Sequence, residues 1–263
     1  MLIAGCASDQ PARHVAMQTP PATQPVAPPP TPEQIVELST SVEGRPIRLH
    51  VLGHAADPWP TLILGAIHGN EPTSAVVAES LLQLLRSNPE LLSTRKVAIL
   101  PVANPDGLAR GLRTNKNLVD LNRNFPASNW KKGRKGIYFG GDQPATEPET
   151  LAILQAFELV KPARVVSIHS MDRPCNNFDG PADALASAMS KGNGYPVKPS
   201  IGYPTPGSLG TWAGVDRRIP TITLELPRSQ DGYAAWEQNR AALSSVIRAG
   251  QSVDDMYGGA NSP

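Results

Sequence analysis

The sequence predicts a single α/β domain with a mixed, mostly parallel central sheet flanked by helices. Three observations predict this fold class. Apolar segments of strand length alternate along the chain with longer segments of helical periodicity. Two strand segments, 61–69 and 164–170, are apolar almost throughout, which is typical of strands buried on both faces of a sheet. The length of 263 residues suits one such domain with a short extension.

The first half of the folded part contains three predicted strands and one helix. Residues 47–53 (IRLHVLG) and 61–69 (TLILGAIHG) predict strands. A helix follows over 71–88, with a proline in its first turn and apolar residues at helical spacing. Residues 96–102 (KVAILPV) predict a third strand, which ends at an Asn-Pro-Asp-Gly turn at 104–107.

The second half continues the alternation. An amphipathic helix over 146–160 has an acidic first turn and leads into the buried strand 164–170 (RVVSIHS). Residues 220–227 (PTITLELP) predict another strand, and a helix over 233–250 closes the domain.

Two long loops, 103–145 and 170–210, connect these elements and are rich in Gly, Asn, Arg and Pro. Loops of this length in a compact domain are usually either functional or disordered. Their composition differs from that of Ser-Gly linkers, which favours a functional role.

The N-terminal 32 residues differ in composition from the rest. Residues 2–6 (LIAGC) resemble the lipobox of bacterial lipoproteins, in which Cys6 would become the lipidated N-terminus. Only five residues precede Cys6, fewer than the roughly 7–15 apolar residues of a secretory signal, so an upstream start is required or the match is chance. Eight prolines within residues 11–32 predict an extended spacer. We expect a lipobox-like start and proline-rich tether at 1–32 and the folded domain at 33–263; the alternative is a tail without function.

The charge balance gives no indication of a nucleic-acid partner. Lysine and arginine total 24 and aspartate and glutamate total 23, so the formal net charge is +1. Such a balance provides no broad basic surface for nucleic acid or for an anionic membrane. A lipid on Cys6 is the membrane attachment that the sequence predicts.

Two histidines and a glutamate occur where strands end. His68 ends the apolar segment 61–69, Glu71 lies in the first turn of the next helix, and His169 ends the second buried strand. Ligand sites of α/β domains gather at the carboxyl edge of the sheet. Each residue alone has an ordinary explanation as a polar loop or strand-end residue. Together they have the composition of a hydrolytic zinc site with a water in the fourth position, and they predict one Zn²⁺ per chain.

Three further residues have chemistry that suits such a site. Glu225 lies in a strand between two leucines, where a charge is costly unless it faces a site or a partner. Beside an activated water it could act as general base and then pass the proton to a leaving amine. Asn122 and Arg123, in VDLNRNFP, suit a ligand with a free carboxylate, because an arginine binds that group through two parallel hydrogen bonds.

This set of motifs resembles the zinc metallocarboxypeptidases of the carboxypeptidase A type. The resemblance rests on HGNE, NPDG, DLNRNFP, His169 and Glu225, and it covers essentially all of 45–250 in order. The segments GLRTNKNLVDLNRNFPASNW, GDQPATEPET and GYPTPGSLGTW are similar to the members of the family that cleave murein peptides. The resemblance therefore implies that residues 33–263 are a catalytic domain.

The resemblance also implies the role of each site residue. It implies that the zinc ligands are His68, Glu71 and His169 and that the general base is Glu225. Asn122 and Arg123 would bind the terminal carboxylate of the substrate. Tyr203 would be a mobile residue over the substrate, and Arg113 would polarise the scissile carbonyl. The spacing between Arg113 and Asn122 is shorter than in the digestive members of the family.

The substrate implied by the resemblance is a murein peptide with a free C-terminal carboxylate, cleaved at the γ-D-glutamyl–meso-diaminopimelate bond. The segment 209–211, which follows PGS, contains no acidic residue, so a simple preference for basic side chains is not expected. A real lipobox would place the enzyme in the periplasm, tethered to the membrane. A chance match would leave it in the cytoplasm.

Two other functions remain open from the sequence. Deacylases of the succinylglutamate desuccinylase and aspartoacylase type also use an HxxE motif, a later histidine and an Asn-Arg pair, although NPDG, NRNFP and TPGSLG favour the peptidase. The third function is a non-catalytic, cell-wall-binding lipoprotein. The presence of all three predicted zinc ligands and of Glu225 argues against it.

Overall fold

A computed structural model describes residues 31–249. The predicted lipobox and nearly all of the predicted tether lie outside this range. The strands are β1 (Thr31–Thr40), β2 (Pro46–Gly53), β3 (Thr61–Leu64), β4 (Lys96–Leu100), β5 (Arg164–Met171), β6 (Cys175–Asp179), β7 (Val197–Lys198) and β8 (Thr221–Pro227). The helices are α1 (Pro72–Ser87), α2 (Pro105–Arg110), α3 (Pro148–Val160), α4 (Asp183–Asn193) and α5 (Gly232–Arg248).

The strands form one mixed sheet in the order β1-β2-β4-β3-β5-β8-β6-β7. The four central strands, β4, β3, β5 and β8, are mutually parallel. β1 pairs antiparallel with β2, β2 pairs antiparallel with β4, and β6 is antiparallel to β8 and parallel to β7. The predicted fold class, a single α/β domain with a mixed sheet flanked by helices, is confirmed. Parallel strands bring their carboxyl ends to one edge, so the loops after β3, β5 and β8 meet there.

Helices cover both faces of the sheet. The fully buried side chain of Ile63 packs with α1, α4 and α5, while its neighbours Leu62 and Leu64 pack with α3 on the opposite face. Successive residues of a strand point to opposite faces, so an apolar run such as β3 is required where both faces are covered. None of the helices in the described part of the chain has the length and apolar character needed to cross a bilayer.

Several predicted boundaries are wrong. The loop predicted at 170–210 contains β6, α4 and β7, and the turn at 104–107 begins the short helix α2. The strand predicted at 61–69 ends at Leu64, because Ala66 adopts a left-handed backbone conformation with φ of 45°. An additional edge strand, β1, begins at Thr31 and pairs only with β2.

Candidate metal centre and substrate cleft

The loop between β3 and α1 brings His68 and Glu71 together. The left-handed Ala66 turns the chain away from the sheet, and its amide donates to Ser74 Oγ at 3.0 Å. A turn follows, in which the Glu71 amide donates to the His68 carbonyl at 3.2 Å. Glu71 precedes the first residue of α1, yet its side chain makes no capping hydrogen bond. Its carboxylate is therefore available to the site.

His169 and Glu225 are placed by two parallel strands. They occupy directly paired positions on β5 and β8. Because β3 is the other neighbour of β5, the loop that carries His68 lies beside His169 at the same edge of the sheet. Both side chains are buried, with 3% of His169 and 8% of Glu225 exposed.

The predicted zinc ligands converge on one point. His68 Nδ1 lies 3.0 Å from Glu71 Oε1, and His169 Nδ1 lies 3.0 Å from Glu71 Oε2. The two Nδ1 atoms are 3.0 Å apart. One ligand atom from each residue can be chosen so that all three lie within 4.8 Å of one another, as a metal site requires. His68 and His169 are 101 positions apart in the sequence, and the fold brings them together.

The other nitrogen of each histidine is held by a partner that the sequence analysis did not single out. His68 Nε2 lies 3.0 Å from Asp120 Oδ1, and His169 Nε2 lies 3.0 Å from Ser167 Oγ. Ionised Asp120 can only accept hydrogen bonds, so the Nε2 proton of His68 points toward it. Donation from the far nitrogen orients a metal-binding imidazole and leaves its other nitrogen with a free lone pair.

The charges of the site favour a cation. Burial raises the pKa of Glu71, but His68 and His169 outweigh burial and hold that pKa well below its usual value. Burial lowers the pKa of His68, but the carboxylates of Glu71 and Asp120 outweigh it and the pKa is raised. His169 has a lowered pKa because of its burial. An ionised carboxylate thus faces two imidazoles inside the protein.

This donor set fits zinc. When both histidines donate from Nε2, to Asp120 and to Ser167, their Nδ1 lone pairs face each other, and a cation between them removes the repulsion. Two imidazole nitrogens and one carboxylate are three protein ligands of the kind found in catalytic zinc sites. We therefore take His68, Glu71 and His169 as the residues that could hold the ion.

Glu225 faces the same cleft without a bonded partner. No residue of the described range 31–249 donates a hydrogen bond or forms an ion pair with its carboxylate. Burial and the negative charge of Glu71 raise the pKa of Glu225 to about 7. On the far side of β8, Cys175 pairs with Glu225 in antiparallel register and is fully buried. A carboxyl with a pKa near neutrality is suited to accept and return a proton.

The predicted carboxylate-binding residues lie on the wall of this cleft. Asn122 Oδ1 accepts a hydrogen bond from the Leu209 amide at 2.9 Å, which directs the NH₂ group of Asn122 elsewhere. Arg123 is 7% exposed, and burial lowers its pKa. Its guanidinium donates to the Asn122 carbonyl and lies 5.9 Å from the ring centre of Tyr138.

Arg113 connects the metal site to this wall. Its Nε atom donates to Asp120 Oδ2 at 2.9 Å, and a terminal nitrogen lies 3.7 Å from Glu71 Oε1. The guanidinium also stacks over Tyr138 at 5.0 Å from the ring centre. Tyr203 lines the cleft from a loop and is half exposed. All eight predicted site residues therefore line one cleft.

Sequence reasoning missed four residues of this arrangement: Asp120, Ser167, Tyr138 and Asp179, the last of which lines the cleft from the end of β6. Asp120 lies in the quoted motif DLNRNFP, and Ser167 lies two positions before His169 on the same face of β5, so both had a positional signal. Tyr138 and Asp179 lie in segments that were predicted as loops. Nothing in the local sequence marks them.

The fold and the cleft together define a hydrolase site of the metallopeptidase class. The sequence profile of the zinc carboxypeptidase family matches residues 29–180. The chain belongs to the zinc carboxypeptidase family. Among curated relatives, it is 36% identical over 207 residues to murein peptide amidase A of Escherichia coli (strain K12), covering 74% of this chain and 81% of the relative.

Solved structures agree with this assignment. The fold matches murein-tripeptide amidase from Escherichia coli O157 with a TM-score of 0.66 and 30% identity, covering 89% of this chain and 98% of that one. It also matches bovine thrombin-activatable fibrinolysis inhibitor with a TM-score of 0.71, over 82% of this chain and 88% of the other. At 19% identity, the second match supports the fold alone.

Proposed function

We propose that the protein is a zinc-dependent carboxypeptidase that hydrolyses murein peptides. The observation that carries this proposal is the convergence of His68, Glu71 and His169 beside the unpartnered carboxylate of Glu225. Zinc held by the first three residues would polarise a carbonyl oxygen and acidify a water molecule. The family membership and the names of two relatives support the choice of reaction and substrate.

Glu225 is proposed to take the proton of the attacking water and to deliver it to the leaving amine. Its position beside His169 and its raised pKa support this role. Arg113 is fixed by Asp120 and directs its guanidinium toward the metal site, where it would stabilise negative charge on the scissile carbonyl oxygen.

Asn122, Arg123 and Tyr203 are proposed to bind the released end of the substrate. Arg123 is largely withdrawn from water, so a carboxylate in the cleft would form charge-assisted hydrogen bonds with it in a medium that screens weakly. Tyr203 is half exposed on its loop and could close over a bound peptide. This arrangement supports cleavage at a free C-terminus.

The bond proposed for cleavage is the γ-D-glutamyl–meso-diaminopimelate bond. Incubating the zinc-loaded protein with L-alanyl-γ-D-glutamyl-meso-diaminopimelate should release free diaminopimelate, identified by mass spectrometry. The protein should also be incubated with murein tetrapeptides and with N-acyl amino acids. Cleavage of the N-acyl amino acids alone would replace the proposal with the deacylase function.

Amidating the C-terminal carboxylate of the tripeptide should lower kcat/KM by about 10- to 150-fold. The amide removes the charge that Arg123 would bind, and a charge-assisted contact contributes roughly 1.5–3 kcal/mol. Arg123→Ala should lower activity on the acid and erase most of the discrimination against the amide. Equal cleavage of acid and amide by the wild type would indicate an endopeptidase on the same scaffold.

We also propose that Cys6 carries a lipid and that the domain acts in the periplasm. The support is the lipobox-like sequence at 2–6 and the proline-rich segment after it. Native protein should fractionate with membranes, and Cys6→Ala should release it into the soluble fraction. Cys175→Ala is the matched control, because that thiol is buried in the domain. A native protein that is soluble with or without Cys6 would contradict the anchor.

A further inference from the structure

Arg228 is a cation of the substrate cleft to which the proposed function assigns no role. The residue directly follows β8, three positions after Glu225, and it lines the cleft. Its amide donates to the Met171 carbonyl at 3.1 Å, which ties it to the end of β5. Burial and the charge of Glu71 raise the pKa of Glu225, and the positive charge of Arg228 is among the effects that oppose this rise. The charge of Arg228 therefore acts on the reacting centre.

Arg228 and Arg123 lie on different flanks of the metal site. Oε1 of Glu71 lies 3.7 Å from a terminal nitrogen of Arg113, which is a charged neighbour of Arg123 on the cleft wall. Oε2 of Glu71 accepts a hydrogen bond from the Ser170 amide at 3.1 Å, and the Ser170 carbonyl accepts one from Arg228 Nη2 at 3.4 Å. A peptide with its C-terminal carboxylate at Arg123 and its scissile bond at the metal site would extend its acyl end toward Arg228.

The guanidinium of Arg228 has hydrogen-bonding capacity to spare. Its Nε atom donates to Asp172 Oδ1 at 3.2 Å, whereas Nη1 has no partner within residues 31–249. The side chains of this ion pair are 51% exposed for Arg228 and 88% exposed for Asp172. Ion pairs at such exposure contribute little to stability, so a ligand can replace Asp172 at low cost. The fork of N–H groups suits a carboxylate, which it can bind through two parallel hydrogen bonds.

The peptide proposed as substrate has a matching anion on its acyl side. A glutamyl residue linked through its γ-carboxyl keeps its α-carboxylate free, a short carbon chain away from the scissile carbonyl. In an α-linked residue that carboxyl group is consumed by the peptide bond. Among the described residues that line the cleft there are three arginines, and Arg123 and Arg113 are assigned to the C-terminal carboxylate and the scissile carbonyl oxygen. Arg228 is the third.

We propose that Arg228 binds the free α-carboxylate of a γ-linked glutamyl residue on the acyl side of the scissile bond. This inference rests on the proposed function, since it assigns the acyl subsite of the same cleft. It makes Arg228 a specificity-determining residue for the linkage that is cleaved. The ligand chemistry is an acyl residue with a free carboxylate, and the corresponding D-isoglutaminyl residue has nearly the same shape without the charge.

The test compares L-alanyl-γ-D-glutamyl-meso-diaminopimelate with the same tripeptide carrying an α-carboxamide on its glutamyl residue. The zinc-loaded wild type should prefer the acid by about 5- to 20-fold in kcat/KM. This factor lies in the lower part of the range of a charge-assisted contact, because Arg228 is half exposed and water screens its charge. Arg228→Gln should lower kcat/KM for the acid by a similar factor and leave it unchanged for the amide.

Arg173→Gln is the matched control, because Arg173 is an exposed arginine in the turn between β5 and β6 and does not line the cleft. It should retain the wild-type preference for the acid. Equal cleavage of acid and amide by the wild type, an equal loss on both peptides in Arg228→Gln, or the same loss of preference in Arg173→Gln would overturn the proposal. Zinc content and melting temperature of Arg228→Gln confirm that the variant is folded.

Arg123→Ala checks independently which carboxylate each arginine binds. That variant should lose the distinction between a free and an amidated C-terminus and keep the preference for a free α-carboxylate on the glutamyl residue. Arg228→Gln should show the reverse. Loss of both preferences in Arg228→Gln would mean that Arg228 supports the cleft as a whole, and the separate subsite would be rejected.

A binding experiment separates this proposal from the proposed function. If the murein tripeptide and its glutamyl amide are cleaved equally, the proposed function stands and the role of Arg228 is rejected. If no murein peptide is cleaved, the proposed function fails. Calorimetric titration of the zinc-loaded protein with L-alanyl-D-glutamate and L-alanyl-D-isoglutamine then tests the subsite alone. Tighter binding of the glutamate that depends on Arg228 would support the proposal, and equal affinities would overturn it.

Discussion

Replacing His169 by alanine should abolish both stoichiometric zinc and hydrolysis. The substitution removes one of three proposed ligands and leaves His68 and Glu71 with a buried gap. Catalytic zinc sites are held by three protein ligands, and two remaining donors would hold the ion far more weakly. Elemental analysis of the dialysed variant measures the zinc, and the murein tripeptide assay measures the activity.

His54→Ala is the control for this experiment, because His54 lies in the loop after β2 and does not line the cleft. It should bind one zinc per chain and remain active. Full zinc occupancy in His169→Ala would reject His169 as a ligand, even if the variant were inactive.

Replacing Glu225 by glutamine should lower kcat by about 10²- to 10⁴-fold while zinc is retained, the range expected for loss of a general base. Glutamine keeps the shape of the side chain but cannot accept the proton of water. Glu237→Gln, an exposed glutamate of α5, is the control and should have normal activity. A near-normal kcat in Glu225→Gln would refute the proposed role.

The same residue predicts an acidic limb in the pH profile of the wild type. Burial and Glu71 raise the pKa of Glu225 to about 7. Below its pKa the carboxyl is protonated and cannot serve as a base, so kcat/KM should fall as the pH falls. Zinc in the adjacent site would lower this pKa, so the limb should lie at or below pH 7. Loss of this limb in Glu225→Gln would link it to that residue.

Hydrophobic pattern was sufficient to predict the central strands and the large helices. β5 and α3 are close to their predicted bounds because each buries a continuous apolar run or stripe. β6 (CNNFD) was missed because its buried polar side chains are stabilised by specific partners. Asn176 exchanges hydrogen bonds with Asn193, and Asn177 donates to the Lys198 carbonyl. Those partners are distant in sequence, so no local pattern indicates them.

β1 was missed for a different reason. It is an edge strand, and most of its described side chains are exposed, including Ile35 at 55% exposure. Edge strands carry a weak apolar signal because one side of their backbone and much of their surface face water. The preceding proline-rich segment further masked its start.

The site was more predictable than the fold around it. His68, Glu71, His169 and Glu225 stood out because polar residues interrupt apolar runs at strand ends. Asp179 did not, because its place against Gly210 depends on β6 lying beside β8 in the sheet. Topology of that kind cannot be deduced from the spacing of residues along the chain.

The burial of Cys175 affects the redox conditions in which the domain can fold. Burial and the charge of Glu225 raise the pKa of the Cys175 thiol to about 11, so its reactive thiolate is scarce at neutral pH. This cysteine is free, and packing of the sheet against its helices stabilises the described domain. Folding of the domain should therefore proceed equally in a reducing cytoplasm and in an oxidising compartment, and recombinant production should need neither an oxidant nor a disulfide isomerase.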